Sequence, residues 1–210
     1  MSPSPRPRPN RRDRADSAPL SLQTRAESDL AFVRTVLERA HQFTAVPGTG
    51  GMLMGATAIG AALIAFKQPS SPRWFGVWMA EAVLASAIAV GSMLHKARRT
   101  GQPLAAGPAR RFALGLVPPL FAGGVLTLAA VHAHAWAMLA PIWLACYGGA
   151  VLGGGMVSAV PAVPVLGAMF LLASALCVVT PSSWTDAWMG VAFGVGHLVV
   201  GFIVRARYGG

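Results

Sequence analysis

Two side chains stand out in the apolar body of this chain for what they could do there: Glu81 and His197. An ionised carboxyl in the middle of a membrane helix costs roughly 2.5–3.5 kcal/mol. Glu81 must therefore face the interior of a bundle, find a hydrogen-bonding partner or keep its proton. Imidazole titrates near neutrality, so a Glu–His pair inside hydrocarbon is poised to pass a proton, whereas a neutral pair is structural glue. Counting 1.5 Å per residue from Trp74 and Ala187 places Glu81 about 10 Å and His197 about 15 Å below the same surface. The two are expected to meet if the helices that carry them are neighbours. The plainer readings are a hydrogen-bonded structural glutamate and a satisfied core histidine.

Other reactive residues form no recognisable constellation. Cys146 and Cys177 both lie in apolar stretches and no C-x-x-C occurs, so small buried hydrophobes are expected, without zinc or a disulfide. His132 and His134 are two residues apart but lack a third ligand, and His95 lies beside Lys96 at a helix end. Bis-histidine haem ligation needs two histidines at one depth, and only His197 is central. A serine–histidine intramembrane protease is disfavoured because Ser158 follows Gly153-Gly154-Gly155-Met156-Val157, outside a Gly-x-Ser-Gly turn and at a depth unlike that of His197. No nucleotide fingerprint or Walker motif appears. The expectation is a non-enzymatic protein with no metal and no cofactor.

The elements that must position Glu81 and His197 are apolar helices. The 210 residues are 54% hydrophobic and 11% charged, against about 25% charged in a soluble domain. A hydrocarbon layer about 30 Å thick takes roughly 20 apolar residues per helix. Six such stretches are read at 50–66, 74–94, 112–131, 136–157, 162–179 and 187–204. They imply an all-α integral membrane bundle over 47–210. Internal similarity groups the stretches into three hairpins. Pro69-Ser70-Ser71 with Trp74, Trp78 and Met79 returns as Pro181-Ser182-Ser183 with Trp184, Trp188 and Met189. Thr44-Ala45-Val46-Pro47 upstream matches Ser158-Ala159-Val160-Pro161, and a weaker middle copy runs from Val117-Pro118 through Gly123-Gly124 to Trp136 and Trp143. All hairpins enter from one side, so the repeat is parallel. Glycine pairs at Gly51-xxx-Gly55, Gly149-xxx-Gly153 and Gly190-xxx-Gly194 are expected to be helix-packing faces.

Charge assigns the sides. Of 17 Lys and Arg, eight precede the first stretch, five occupy the loop after the second (Lys96, Arg98, Arg99, Arg110 and Arg111), and Arg205 and Arg207 follow the last. Only Lys67 and Arg73 fall opposite, which places both termini in the cytoplasm. The net charge of +10 is thus expected to face anionic lipid headgroups and not nucleic acid. Residues 1–20, rich in Ser, Pro and Arg, are expected to be disordered and lack the apolar core of a signal peptide. Residues 21–46 hold an amphipathic helix, with Leu30, Val33, Leu37 and Ala40 on one face, too polar to span and suited to the membrane surface or a protein partner.

The opening Phe43-Thr44-Ala45-Val46-Pro47-Gly48 and the ending Ala206-Arg207-Tyr208-Gly209-Gly210 resemble those of small, uncharacterised bacterial multi-pass membrane proteins. The resemblance runs over about 27–210. It implies an inner-membrane location and this topology, without catalytic residues to carry over. As an alternative it also implies a membrane partner for a cytoplasmic winged-helix regulator. The leading expectation is a regulatory or scaffolding protein with a cytoplasmic working face and a cytoplasmic protein partner. The alternative is a small transporter or channel using Glu81 and His197.

Overall fold

The computed structural model describes residues 22–40, 46–101 and 107–208. The tail 1–20, the segment 41–45, part of the basic loop (102–106) and Gly209-Gly210 lie outside the described residues. The chain divides into two units, 1–40 and 41–210.

The described residues of the first unit form one helix, α1 (Leu22–Ala40). Its described side chains, Thr24 to Val33, are exposed, Leu30 and Phe32 among them. Ser28 Oγ donates to the Arg25 carbonyl at 2.8 Å, a local bond on the helix surface.

The second unit is all helix among the described residues: α2 (Gly48–Ala65), α3 (Ser71–Thr100), α4 (Gly107–His132), α5 (Leu139–Gly155), α6 (Ala162–Val179), α7 (Thr185–Met189) and α8 (His197–Tyr208). A 3₁₀ turn at Trp136–Met138 leads into α5, and another at Ser182–Trp184 leads into α7. A π-helical segment, Gly190–Gly196, joins α7 to α8. Among the described residues, six continuous stretches are long and apolar enough to cross a membrane: Gly48–Ala65, Ser71–Arg99, Gly107–His132, Trp136–Gly155, Ala162–Val179 and Ser182–Tyr208. The protein is therefore a multi-pass membrane protein, and these stretches are its first to sixth spans.

Several helices run past the apolar windows read from sequence, because caps rather than hydropathy stop a helix. Pro72 sits in the first turn of α3, where a missing N–H costs nothing, and Gly101 ends that helix at a left-handed φ of 66°. The second span thereby gains residues at both ends beyond 74–94. The loop between spans three and four is closed by His134, a non-glycine residue at a φ of 54°.

Packing runs in the order third, fourth, fifth, sixth, first, second span. The first and third hairpins do lie side by side, but span one, not span two, runs along span six. Glycine explains the choice. A Cβ on Gly51 would come within 3.3 Å of Gly201 Cα, and one on Gly55 within 2.6 Å of the Gly194 carbonyl oxygen. Two backbones this close exclude any longer residue at the crossing. The core beneath holds Phe170, Leu144, Val160, Met189 and Val204, all nearly inaccessible. Spans two and three carry the broadest exposed apolar faces, with Val83, Phe121 and Leu128 each more than 70% accessible.

The bundle has two chemically distinct ends. At one, tryptophans gather: Trp74 stacks on Trp143 with centroids 5.6 Å apart, and Phe75 meets Trp136 at 6.2 Å. At the other lie Pro47, Lys96, Arg99 and Tyr208.

Candidate functional site

Glu81 is carried by α3 and is 8% accessible. Its carboxyl turns toward α2, where Thr57 Oγ1 donates to Oε1 at 2.8 Å. The same hydroxyl lies 3.0 Å from the Met54 carbonyl. This geometry serves both charge states of the acid. An ionised Glu81 accepts the Thr57 proton. A protonated Glu81 donates to the Thr57 oxygen, which then turns its own hydrogen to Met54. One proton can thus be held or released without breaking the contact between spans one and two.

His197 sits where the π-helical segment gives way to α8, and it is 6% accessible. Its Nδ1 is 2.9 Å from the Phe193 carbonyl. A carbonyl only accepts, so Nδ1 carries the hydrogen. In the neutral ring Nε2 is then an acceptor, and the Tyr147 hydroxyl, at 2.7 Å, donates to it. The imidazole is further enclosed by rings. Phe193 lies parallel to it with centroids 6.3 Å apart, Phe170 meets it edge-on at 5.6 Å, and Tyr147 tilts against it at 5.5 Å. The three aromatic rings also pack on one another at 4.7 to 5.0 Å. Spans four, five and six are joined through this knot.

Glu81 and His197 therefore have separate partners, which corrects the expectation that they satisfy one another. Depth is not the reason. Trp78, three residues before Glu81, contacts Phe193, four residues before His197, with centroids 6.2 Å apart. The two helices thus meet one turn away from both residues. Rotation separates the pair: Glu81 points to span one, and His197 points to spans four and five. Between them Trp78 is 3% accessible, and its Nε1 is a buried donor without a partner among the described residues.

Three other indoles are tied down at the tryptophan end. Trp74 Nε1 donates to Asp186 Oδ1 at 2.7 Å, linking spans two and six. Trp143 donates to Thr127 Oγ1 at 2.8 Å, and Trp188 to Thr180 Oγ1 at 2.9 Å. The His134 ring lies 6.4 Å from Trp136. Cys146 and Cys177 are free. No group of three metal-ligating side chains occurs among the described residues.

The glycines singled out from sequence lie at close contacts of unequal tightness. A Cβ on Gly190 would come within 3.2 Å of Ala62 Cβ, one on Gly153 within 3.1 Å of the Gly115 oxygen, and one on Gly149 only within 3.8 Å of Pro119. The crossing of spans four and five through Gly148 and Gly167 was not expected from sequence and is tighter than that at Gly149. Lys96 is drawn in toward the bundle, its Nζ donating to the Val46 carbonyl at 2.9 Å and to that of Tyr208 at 3.4 Å. Arg98, Arg99, Arg110 and Arg111 are exposed.

Sequence reading missed Thr57 and Tyr147. Each left a signal. Thr57 is the one polar side chain in the middle of span one, and Tyr147 is one of two tyrosines in the chain and the one in mid-span. Comparison of the chain with protein-family models, curated proteins and solved structures gives no match.

Proposed function

We propose that the protein is a non-enzymatic regulatory or scaffolding component of a bacterial inner membrane, working through its basic cytoplasmic end. The observation that carries this reading is the placement of charge on a bundle whose two mid-span ionisable groups, Glu81 and His197, are each tied to a neighbouring helix. Glu81 is bound to Thr57 and His197 to Tyr147 and Phe193, so these groups act as fasteners between spans. The exposed cations Arg98, Arg99, Arg110, Arg111, Arg205 and Arg207 remain available at one end. In this reading three repeated hairpins form the membrane body. The helix α1 is the amphipathic element that lies on the membrane or docks a cytoplasmic protein, a winged-helix regulator being one such partner.

A transporter or channel ranks second. It gains from Glu81, whose bond to Thr57 serves both charge states, and loses an acid–imidazole relay, because Glu81 and His197 do not meet.

The test is a variant with Lys96, Arg98, Arg99, Arg110 and Arg111 all changed to Gln, cross-linked in cells and recovered by affinity purification. The variant is expected to insert and to lose cytoplasmic partners that the wild type retains. Undiminished recovery of every partner would reduce the loop to a connector.

A further inference from the structure

The basic end contains a feature that the buried polar contacts do not use. An open-sided cavity of about 580 Å³ lies between the start of α2, the end of α3 and Tyr208. Three kinds of group converge on it. Lys96 and Arg99 supply the cationic side with the His95 ring beside them, and Lys96 is fixed there by the Val46 and Tyr208 carbonyls. The first turn of α2 supplies Thr49 and Gly50. Pro47 caps that helix without a side-chain hydrogen bond. The opening amides of a helix have no acceptor of their own and carry the positive end of its dipole. Leu53, half exposed, provides an apolar side.

The acids of the chain explain what such a wall selects. Residues 41–210 contain two, Glu81 and Asp186. Glu81 is bound to Thr57 in mid-span and Asp186 to Trp74 at the opposite end. Among the described residues no carboxylate lines the cavity. The Arg99 guanidinium together with helix amides favours an anion with several acceptor oxygens, and a phosphate group matches that pair.

We infer that this cavity binds a phosphate group, presented by the headgroup of an anionic phospholipid. Its position supports a lipid source. It lies where spans one and two end, at Gly48 and Arg99, and it is open-sided with an apolar wall at Leu53. A headgroup reaches such a site laterally, with its acyl chains along the bundle. Lipid binding here does not depend on the docking of any cytoplasmic partner, and its readout is bound lipid.

Native mass spectrometry of the detergent-purified full chain, with phosphatidylglycerol or phosphatidylcholine added, tests it. Wild type is expected to retain phosphatidylglycerol in preference. Arg99→Gln removes one exposed cation from the cavity and is expected to weaken retention about tenfold, the worth of one charge-assisted contact. Gly91 lines the cavity, and Gly91→Phe keeps every charge and fills the space. A Cβ at Gly91 meets nothing within 4 Å, so the fold should accept it and retention should fall similarly. Arg111→Gln removes the same charge elsewhere at the basic end and should change little. A third arm adds millimolar inorganic phosphate alone and follows thermal unfolding. Stabilisation by it that both cavity variants abolish, without preferential lipid retention, would assign the site to free phosphate. Equal loss in Arg111→Gln, or undiminished retention in both cavity variants, would overturn the site.

Discussion

The Phe193 carbonyl determines which nitrogen of His197 carries the hydrogen, and that assignment makes the Tyr147 contact testable. With Nδ1–H committed to the Phe193 carbonyl, Nε2 has one donor, the Tyr147 hydroxyl. Tyr147→Phe leaves the ring volume in place and strands a buried acceptor, at an expected cost of about 1–3 kcal/mol. Combined with His197→Ala it should show strong coupling in detergent unfolding, since one bond is lost by either change. Glu81→Gln keeps a partner for Thr57 and should be mild. With His197→Ala its effect should add to within about 0.5 kcal/mol, as for residues that share no partner. Strong coupling between Glu81 and His197 would instead mean that the two meet. Both residues were legible in the sequence because they are ionisable groups in otherwise apolar stretches. Their partners were not. Each residue along a helix turns the side chain by about 100°, so depth follows from counting but direction depends on which helices are neighbours.

The crossing of spans one and six settles that neighbourhood, and it is a property of the elements. Gly51 and Gly55 were visible in the sequence as a small-residue face, as was Gly190-xxx-Gly194. What the sequence lacked was the pairing of faces, because several spans offer one. The structure joins Gly51 to Gly201 and Gly55 to Gly194, with Ala62 against Gly190. Substitution separates this role from the general helix preference for alanine. At Gly55 a Cβ would lie 2.6 Å from the Gly194 oxygen and 2.7 Å from the Leu198 nitrogen, both backbone atoms that cannot step aside singly. Gly55→Ala should therefore destabilise by about 1–3 kcal/mol, the range for overpacking. A Cβ on Gly60, in the same helix, would meet nothing within 4 Å. Gly60→Ala should be neutral or stabilising by up to about 1 kcal/mol in the same unfolding assay. If the two changes behave alike, the crossing does not hold the hairpins together. Span existence was far easier to read than span limits. Hydropathy reports where a helix is apolar, whereas α3 begins and ends by Pro72 and Gly101 outside its apolar part.

At the scale of the molecule, the two ends differ in chemistry in a way that predicts an orientation. Tryptophans 74, 136, 143, 184 and 188 lie toward one end, where amphipathic rings suit a membrane–water boundary. In sequence, fifteen of the 17 Lys and Arg precede the first span, lie at the adjoining ends of the second and third, or lie at the end of the last, and the other two are Lys67 and Arg73, beside the tryptophans. The excess should hold the basic end in the cytoplasm. A phosphatase that folds only outside the cytoplasm, fused after Ser71, is expected to be active, and the same enzyme fused after Gly210 to be inactive. The reverse result would sink the orientation and with it a cytoplasmic working face. The margin also makes the loop experiment interpretable. Changing Lys96, Arg98, Arg99, Arg110 and Arg111 to Gln still leaves ten cations against two, a bias of the same sign. Both fusions should then report the same topology in the five-residue variant as in the wild type. If they do, loss of a partner belongs to the surface that was changed. If the Gly210 fusion becomes active, those five residues set the orientation themselves, and the partner result reports inversion of the bundle.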